Sequence, residues 1–344
     1  MNIQQLFGID LPIIQAPMAG VQTSALAIAV SNAGGLGSLP CAMLTPELIQ
    51  AELAAVQAGT SRPYNINFFC HVLPVPDPAR EARWHAALAP YYAEFGIARD
   101  IVPTGSGRAA FSHEIADIIE SFRPPVISFH FGLPPPTLLK RVKSWGSKVL
   151  SSATTVEEAR WLEAHGADAI IAQGLEAGGH RGIFLTDDLS TQIGTMALLP
   201  QVIRAVRVPV IAAGGIADAN SVKAALVLGA AGVQVGTAYM LCDEATTSTL
   251  HRAALKSNRT EHTVLTNLIT GRPARGILTR LMKELGPFSD APPAFPLATA
   301  ALVPLKIAAE KLGRDDFSTL WSGQNASGCR EIPAAELTRL LAKT

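Results

Sequence analysis

Short apolar runs alternate with amphipathic stretches along the first 240 residues of this 344-residue chain. The runs predict β-strands, and most are continuously apolar, as expected for strands that helices cover on both sides. The intervening stretches carry helix signals; residues 45–59, for example, begin with Thr45 as N-cap and Pro46 at the first helical position and end in Gly59. The predicted strands are residues 12–17, 34–39, 64–69, 125–131, 148–153, 168–173, 208–213 and 232–236.

Strands and helices that alternate with this period favour a parallel α/β fold, and eight repeats match a (β/α)₈ TIM barrel. We therefore expect residues 1–240 to form the barrel. Residues 71–123 are too long for one crossover and predict a helical insertion beside the barrel mouth, with helices at 78–96 and 111–122. After residue 240 no strand pattern is convincing, so we expect residues 241–344 to form a mainly helical lid subdomain. The Pro-rich residues 286–296 interrupt this lid, which is predicted to pack back on the barrel.

Composition narrows the class of protein. The 28 basic and 28 acidic residues balance and no Lys/Arg run occurs, so we expect neither a nucleic-acid partner nor a membrane partner. The four cysteines form no CxxC pair, which argues against a structural zinc site and a disulfide framework. No HExxH or His–carboxylate cluster indicates a metal. No signal-peptide pattern or membrane-length apolar run is evident, so the prediction is a cytoplasmic protein.

Glycines follow the last two predicted strands. Gly214 and Gly215 end one strand, and Gly236 with Thr237 ends the next, about one α/β unit later. Glycines at adjacent strand ends let main-chain N–H groups approach a phosphate, and in TIM barrels the loops after strands seven and eight often do so. The pattern predicts a phosphate group at this edge, with Gln234 in the same patch. It does not distinguish a cofactor phosphate from a substrate phosphate.

Polar or soft side chains occur at other strand ends. Met18 suits packing against a flat ring, or is plain core. Asn65 and Asn67 share one strand face, and a buried amide needs a partner, either a heteroaromatic ring edge or a group inside the barrel. Gln173 ends another strand and can also address a polar ring edge.

Two histidines are candidates for proton transfer. His130 shares a strand face with Ser128, so it faces the mouth if Phe129 and Phe131 pack under the helices; otherwise it is a satisfied structural residue. His180 lies in a glycine-rich turn, mobile enough to face a substrate, and histidine suits proton abstraction near neutral pH. The alternative for His180 is a surface turn residue.

Two charged neighbours of His180 are also open to interpretation. Arg181 either holds a substrate anion or is solvated, and Glu176 is either functional or a helix cap.

Seven segments of the chain form a recognisable set: LPIIQAPMAG, AGGLGSL, NINFF, ISFHFGLP, GLEAGGHRG, VPVIAAGGIAD and GVQVGTAY. Taken together, they resemble the nitronate monooxygenases, formerly called 2-nitropropane dioxygenases. The likeness runs over about residues 7–240 and continues at 295–306 and 317–324. The resemblance implies non-covalently bound FMN and oxidation of alkyl nitronates, or nitroalkanes, by O₂ to a carbonyl compound and nitrite. The partners would be these small molecules, and the chain a monomer or homodimer.

The resemblance also implies roles for individual residues. His180 matches the family's catalytic base and His130 a second active-site histidine. Met18 would lie against the flavin ring, while Asn67 and Gln173 would contact its polar edge or ribityl chain. The residues that would approach the FMN or close on its phosphate are Gly178, Gly214, Gly215, Gln234, Val235, Gly236 and Thr237.

The tyrosine content departs from the pattern of some family members. Some family members carry several tyrosines around the substrate, whereas tyrosine occurs here only at positions 64, 91, 92 and 239, which favours a bulkier or more apolar substrate.

Three alternative functions remain. An FMN-dependent NADH:quinone reductase or enoyl-acyl-carrier-protein reductase would share the flavin contacts. A flavin-free lyase or isomerase acting on a sugar phosphate would explain the glycine loops. A non-catalytic flavin carrier is the last possibility.

Overall fold

The computed structural model describes residues 2–98 and 108–343. Eight parallel strands form one sheet in the order β1-β9-β8-β6-β5-β4-β3-β2, and a bridge between Ile14 and Leu36 joins β1 to the β2 edge. The predicted (β/α)₈ barrel is thereby confirmed. The barrel strands are β1 (Ile13–Gln15), β2 (Gly37–Pro40), β3 (Tyr64–Phe69), β4 (Val126–His130), β5 (Lys148–Ala153), β6 (Ala169–Gln173), β8 (Val210–Ala213) and β9 (Gly232–Val235). The other strands are β7 (Gly179–His180), β10 (Thr263–Thr266) and β11 (Ala274–Ile277).

Several helices begin where the sequence carries capping residues. Thr45 accepts a hydrogen bond from the N–H of Leu48, and Asp218 and Ser221 form a reciprocal capping box. The helices are α1 (Ile3–Phe7), α2 (Ser24–Asn32), α3 (Pro46–Gly59), α4 (Pro78–Glu94), α5 (His113–Glu120), α6 (Pro136–Ser144), α7 (Val156–Ala164), α8 (Thr195–Ala205), α9 (Ala219–Val227), α10 (Thr249–Leu255), α11 (Arg280–Leu285), α12 (Ala298–Lys311) and α13 (Ala334–Leu341).

Helix α1 closes the amino-terminal end of the barrel. Ile3 and Phe7 are buried in one cluster with interior strand residues such as Ile14, Leu150 and Ile171. Because these apolar side chains fill that end, the opposite end, at the carboxyl termini of the strands, is left for a ligand.

Helix α4 of the insertion packs against α12 of the C-terminal part. The indole of Trp84 donates to the carbonyl of Ala298 at 3.1 Å, and the hydroxyl of Tyr92 donates to the carbonyl of Ala301 at 2.6 Å. The insertion helices expected at 78–96 and 111–122 correspond to α4 and α5, whereas residues 99–107 lie outside the described residues. No helix in the described ranges is both long enough and apolar enough to cross a membrane.

The C-terminal part also contains β10 and β11, so the expectation of no strand after residue 240 is wrong. These strands and β7 form an antiparallel sheet in the order β10-β11-β7. Arg275 and Gly276 interrupt the apolar character of β11, and its partner β7 has two residues and lies far away in sequence. Such pairing leaves no local periodicity to detect.

Candidate active site

A cavity of about 330 Å³ opens at the carboxyl ends of the barrel strands. All but one of the twelve residues to which the resemblance assigns a role line it. The exception is Val235, whose side chain packs in the core between strands and helices because side chains alternate along β9. The side chain of Val235 therefore does not face the cavity. The lining candidates are Met18, Asn67, His130, Gln173, Gly178, His180, Gly214, Gly215, Gln234, Gly236 and Thr237.

One end of the cavity, the glycine end, is formed by Gly178, Gly214, Gly215 and Gly236. Ala213 is in register with Gln234, so the corners after β8 and β9 are adjacent, as the spacing predicted. Gly214 has φ +114° and Gly215 has φ +72°, which are glycine conformations. The main-chain N–H groups of Gly215 and Gly236 form no hydrogen bond within the described residues, so they remain available to an anion.

A C-terminal segment covers the glycine end. The N–H of Gly323 donates to the hydroxyl of Thr237 at 2.9 Å, and the side-chain amide of Asn325 donates to the carbonyl of Gly215 at 3.0 Å. A Cβ added to Gly178 would lie 2.5 Å from the nitrogen of Gly323, so only glycine fits there. Sequence reasoning from the residues missed Gly323 and Asn325, because only the fold brings residues 323–325 to β8 and β9.

Glu176 caps a helix, in agreement with one of its two interpretations. Its carboxylate accepts from the N–H of Thr195 at 2.8 Å and from the Thr195 hydroxyl at 2.8 Å. Thr195 is the first residue of α8, where main-chain N–H groups lack partners within the helix. Glu176 therefore braces the loop after β6 against α8.

The asparagines of β3 point inward, and their partner is Ser128 on β4. The amide nitrogens of Asn65 and Asn67 each lie 2.9 Å from the Ser128 hydroxyl oxygen. The barrel-internal hydrogen bond is thus present for both residues. Asn67 in addition lines the cavity, whereas Asn65 does not.

Gln173 holds the loop that carries His180. Its Nε2 donates to the carbonyl of His180 at 3.0 Å, and its Oε1 accepts from the N–H of Gly182 at 2.7 Å. His180 is also in register with Ala274 of β11. His180 therefore lies in a paired strand that ties the barrel to the C-terminal part, and not in the free turn that the glycines suggested.

The His180 ring packs among aromatic side chains. Its centroid is 5.3 Å from that of Phe295 and 5.6 Å from that of Trp321. Its Nε2 lies 2.9 Å from the hydroxyl oxygen of Thr270. Burial, reinforced by the charge of Arg108, holds the pKa of His180 well below its usual range, so the ring is neutral at physiological pH.

Both ring nitrogens of His130 are engaged. Nε2 lies 3.2 Å from the carbonyl oxygen of His180, and Nδ1 lies 3.1 Å from the hydroxyl oxygen of Ser152. A carbonyl only accepts, so Nε2 carries the proton and Nδ1 accepts from Ser152. Burial lowers the pKa of His130 to about 4. This neutral ring has no free lone pair, which argues against a role as a base.

Arg181 does not face the cavity, and both earlier interpretations of it are wrong. The side chain is fully buried, and its guanidinium donates to the carbonyls of Gln173 and Gly174, each at 2.8 Å. It also donates to the side chain of Gln192 at 3.0 Å. Arg181 therefore holds the end of β6 in place.

Phe131 departs from the strand alternation. Phe129 packs under the helices as expected, but Phe131 has φ +69° and joins Phe69 and Phe295 in a separate buried cluster. A positive φ is rare for a bulky residue, and such conformations occur preferentially at functional sites. The turn after β4 thus adds an aromatic ring to the surroundings of His180.

The chain is similar to known proteins along nearly its whole length. The profile of the nitronate monooxygenase family matches residues 2–343. A protein of Pseudomonas aeruginosa named nitronate monooxygenase is 44% identical over 98% of this chain and 97% of its own length. The crystal structure of nitroalkane oxidase from Streptomyces ansochromogenes has a TM-score of 0.89 at 39% identity, covering 99% of this chain and 96% of the other.

A more distant structural neighbour is FabK from Thermotoga maritima, with a TM-score of 0.71 at 26% identity over 99% of this chain and 94% of the other. The family match spans nearly the whole chain, and the relative from Pseudomonas is similar along nearly its entire length. The predicted resemblance is confirmed, and the chain belongs to the nitronate monooxygenase family of oxidoreductases.

Proposed function

We propose that this chain uses FMN to oxidise alkyl nitronates, and the nitroalkanes that give rise to them, with O₂ to a carbonyl compound and nitrite. One observation carries the proposal. A single cavity joins the glycine end, where free N–H groups suit a phosphate, to a neutral histidine enclosed by aromatic rings. The family supports the reaction class.

The residues present fit FMN. The unbonded N–H groups of Gly215 and Gly236 suit the phosphate, and Met18 and Asn67 line the adjoining cavity where a flat polar ring would lie. FMN, when bound, supplies the redox chemistry that links oxidation of the nitronate to reduction of O₂. The protein has to bind, orient and shield the reactants.

His180 would accept the α-proton when a neutral nitroalkane enters. The Thr270 hydroxyl lies 3.3 Å from the carbonyl of Arg272, to which it can donate. In that arrangement the Thr270 oxygen accepts a hydrogen bond from the Nε2–H of His180, and Nδ1 keeps its lone pair. Nδ1 forms no hydrogen bond within the described residues. We assign Nδ1 as the base, with Thr270 fixing the tautomer.

His130 would be a positioning residue and not a second base. Together with Gln173 it donates to the main-chain carbonyl of His180. Two donors on one carbonyl fix the main chain of His180, so the orientation of its ring depends on His130 indirectly.

An absorption spectrum followed by a nitrite assay tests the proposal. We expect flavin bands in the purified protein, and nitrite release from both 2-nitropropane and its nitronate under air. A colourless protein that does not bind added FMN would contradict the flavin assignment and favour a flavin-free barrel. A yellow protein that consumes NADH and releases no nitrite would indicate a reductase, and one that does neither would indicate a flavin carrier.

A further inference from the structure

A loop of the C-terminal part, residues 270–273, packs against the segment that carries His180. The wall around His180 is the histidine end of the cavity. The hydroxyl oxygen of Thr270 lies 2.9 Å from Nε2 of the histidine, and the carbonyl of Pro273 accepts a hydrogen bond from the N–H of Arg181 at 2.9 Å. The loop therefore contacts both the ring of His180 and the main chain that follows it.

Arg272 lies between these two loop residues and reaches further along the same segment. Its Nη2 donates to the carbonyl of Ile183, and its guanidinium carbon lies over the ring of Phe131, 4.1 Å from the centroid. A guanidinium at this distance over a ring face forms a cation–π contact. Because Arg272 does not line the cavity, it acts on the site through its neighbours and its charge, and not by contact with a substrate.

Phe131 connects Arg272 with both histidines of the site. Its ring centroid lies 4.5 Å from that of His130 and 6.0 Å from that of His180. The φ of Phe131, +69°, is unfavourable for a bulky residue and persists only where the surroundings stabilise it. The cation–π contact stabilises this position of the ring, so removal of the arginine allows Phe131 to relax away from His180.

Gly271 fixes the conformation of the loop itself. Its φ is +85°, and a Cβ added there would lie 2.1 Å from the carbonyl oxygen of Pro293, so only glycine fits. Its N–H donates to the carbonyl of Asn267 at 2.8 Å. The loop is thus restrained, and Arg272 approaches Phe131 from a fixed main chain.

The charge of Arg272 acts in the same sense as its contacts. Burial lowers the pKa of the guanidinium and the carboxylates of Asp187 and Glu158 oppose this effect, so the arginine stays charged at neutral pH. A nearby positive charge favours the neutral form of a histidine, which is the form that accepts a proton. After burial, the groups that lower the pKa of His180 are Arg108, His130, Arg272 and His71.

We propose that Arg272 is a positioning residue for proton abstraction: by holding Phe131 and the main chain at Ile183, it keeps the ring of the base in the orientation that accepts the α-proton of a nitroalkane. This inference rests on the proposed function, in which His180 is that base. A neutral nitroalkane must lose its α-proton, whereas a nitronate has already lost it. A residue that acts through the base therefore affects the first substrate and spares the second.

Arg272→Gln removes the charge and the cation–π contact but keeps a donor for the Ile183 carbonyl. We expect kcat/KM for neutral 2-nitropropane to fall about tenfold, since a small displacement of a base is costly, while that for the nitronate changes less than about threefold. Arg272→Lys keeps the charge without the planar group and should recover part of the loss. Nitrite release by the FMN-loaded protein measures both values.

Arg314→Gln is the matched control. Arg314 also forms a cation–π contact, with its guanidinium carbon 4.9 Å from the centroid of Phe95, but it does not line the cavity and is not among the groups that lower the pKa of His180. The same substitution there should leave the ratio of the two kcat/KM values unchanged.

Nuclear magnetic resonance of protein with isotope-labelled histidine gives a readout that does not depend on activity. The ring-nitrogen signals of His180 are identified by their loss in His180→Asn. We expect one neutral ring protonated at Nε2 in the wild type and in Arg314→Gln, and shifted or doubled signals in Arg272→Gln.

Equal losses with both substrates, a ratio that also changes in Arg314→Gln, or unchanged His180 signals in Arg272→Gln would overturn the proposal. If thermal unfolding shows that Arg272→Gln is not folded, Arg272→Lys carries the test with a loss of about threefold or more for the neutral substrate alone. A wild type whose His180 signals depend on Arg272, but which releases no nitrite from either substrate, would instead refute the proposed function.

Discussion

At the glycine end of the cavity the wall is main chain, whereas at the histidine end it is side chains from distant segments. Gly214, Gly215 and Gly236 directly follow two neighbouring barrel strands. The surroundings of His180 come from β3, the turn after β4 and three C-terminal stretches, which supply Phe69, Phe131, Thr270, Phe295 and Trp321.

This difference has a chemical consequence. Main-chain N–H groups at fixed strand ends are hydrogen-bond donors that do not change with pH or with side-chain substitution. Such donors suit the phosphate of a cofactor that serves many reactions. Side chains can be exchanged one at a time, and at the histidine end they set the pKa of His180, its tautomer and the local charge. We therefore expect cofactor binding to be controlled at the glycine end and substrate choice at the histidine end.

Replacing His180 should have the largest effect and separate the two ends most clearly. His180→Asn should keep FMN bound and lower kcat/KM for neutral 2-nitropropane by about 10²–10⁴-fold, because the base is lost. The flavin-to-protein absorbance ratio and a nitrite assay measure the two effects. Full activity with neutral 2-nitropropane would remove His180 as the base, and loss of flavin would show that the two ends are not separable.

Paired glycine variants test the other end. In Gly214→Ala the backbone, at φ +114°, is strained and the new Cβ would lie 2.8 Å from the hydroxyl oxygen of Thr195. We expect a cost of about 2–4 kcal/mol in the free energy of unfolding, with reduced FMN occupancy. Gly215→Ala is the control: at φ +72° with ordinary contacts it should cost about 1–2 kcal/mol. Urea unfolding and flavin content give the comparison, and equal effects of the two variants would contradict this account of the corner.

Variants of His130 test whether this residue positions His180 or takes part in the reaction itself. His130→Leu removes one hydrogen bond to the His180 carbonyl, so we expect about a tenfold loss in kcat/KM with FMN retained. His130→Gln offers an amide donor in its place and should recover part of the loss. A decrease as large as that of His180→Asn, without rescue by glutamine, would mean that His130 takes part in the chemistry.

Acid should lower the stability of the fold, because its buried histidines are neutral. The expected effect of each histidine is the smallest among these predictions. Burial lowers the pKa of His71, His130 and His251 to about 4 in the folded protein, against about 6.5 unfolded. Between these values the unfolded chain binds more protons, so stability falls as the pH falls from about 6.5 to 4. Thermal unfolding at pH 7.5 and 5.5 measures the decline.

His71→Phe is the informative variant, because both ring nitrogens of His71 lack hydrogen-bond partners among the residues that the structure describes, and the ring packs 4.9 Å from that of Phe295. We expect the variant to be at least as stable as the wild type at pH 5.5 and to depend less on pH. A steeper pH dependence in the variant would show that His71 does not contribute in this way.

The barrel and the glycine end were predictable from the sequence because their signals are local. Apolar runs marked all eight barrel strands, and the spacing of Gly214 and Gly236 placed two strand ends side by side. The inward faces of β3 and β4 followed from the alternation of side chains, which put Asn67 and His130 in the cavity wall.

The histidine end was decided by tertiary structure. Arg108 comes from the insertion, Thr270 and Trp321 from the C-terminal part, and no local pattern connects any of them with His180. Arg181 illustrates the limit: it adjoins His180 in sequence, yet its side chain is fully buried and directed to carbonyls. Periodicity and glycine spacing report the path of the main chain, whereas burial, tautomer and charge at a site depend on which distant side chains the folded chain brings together.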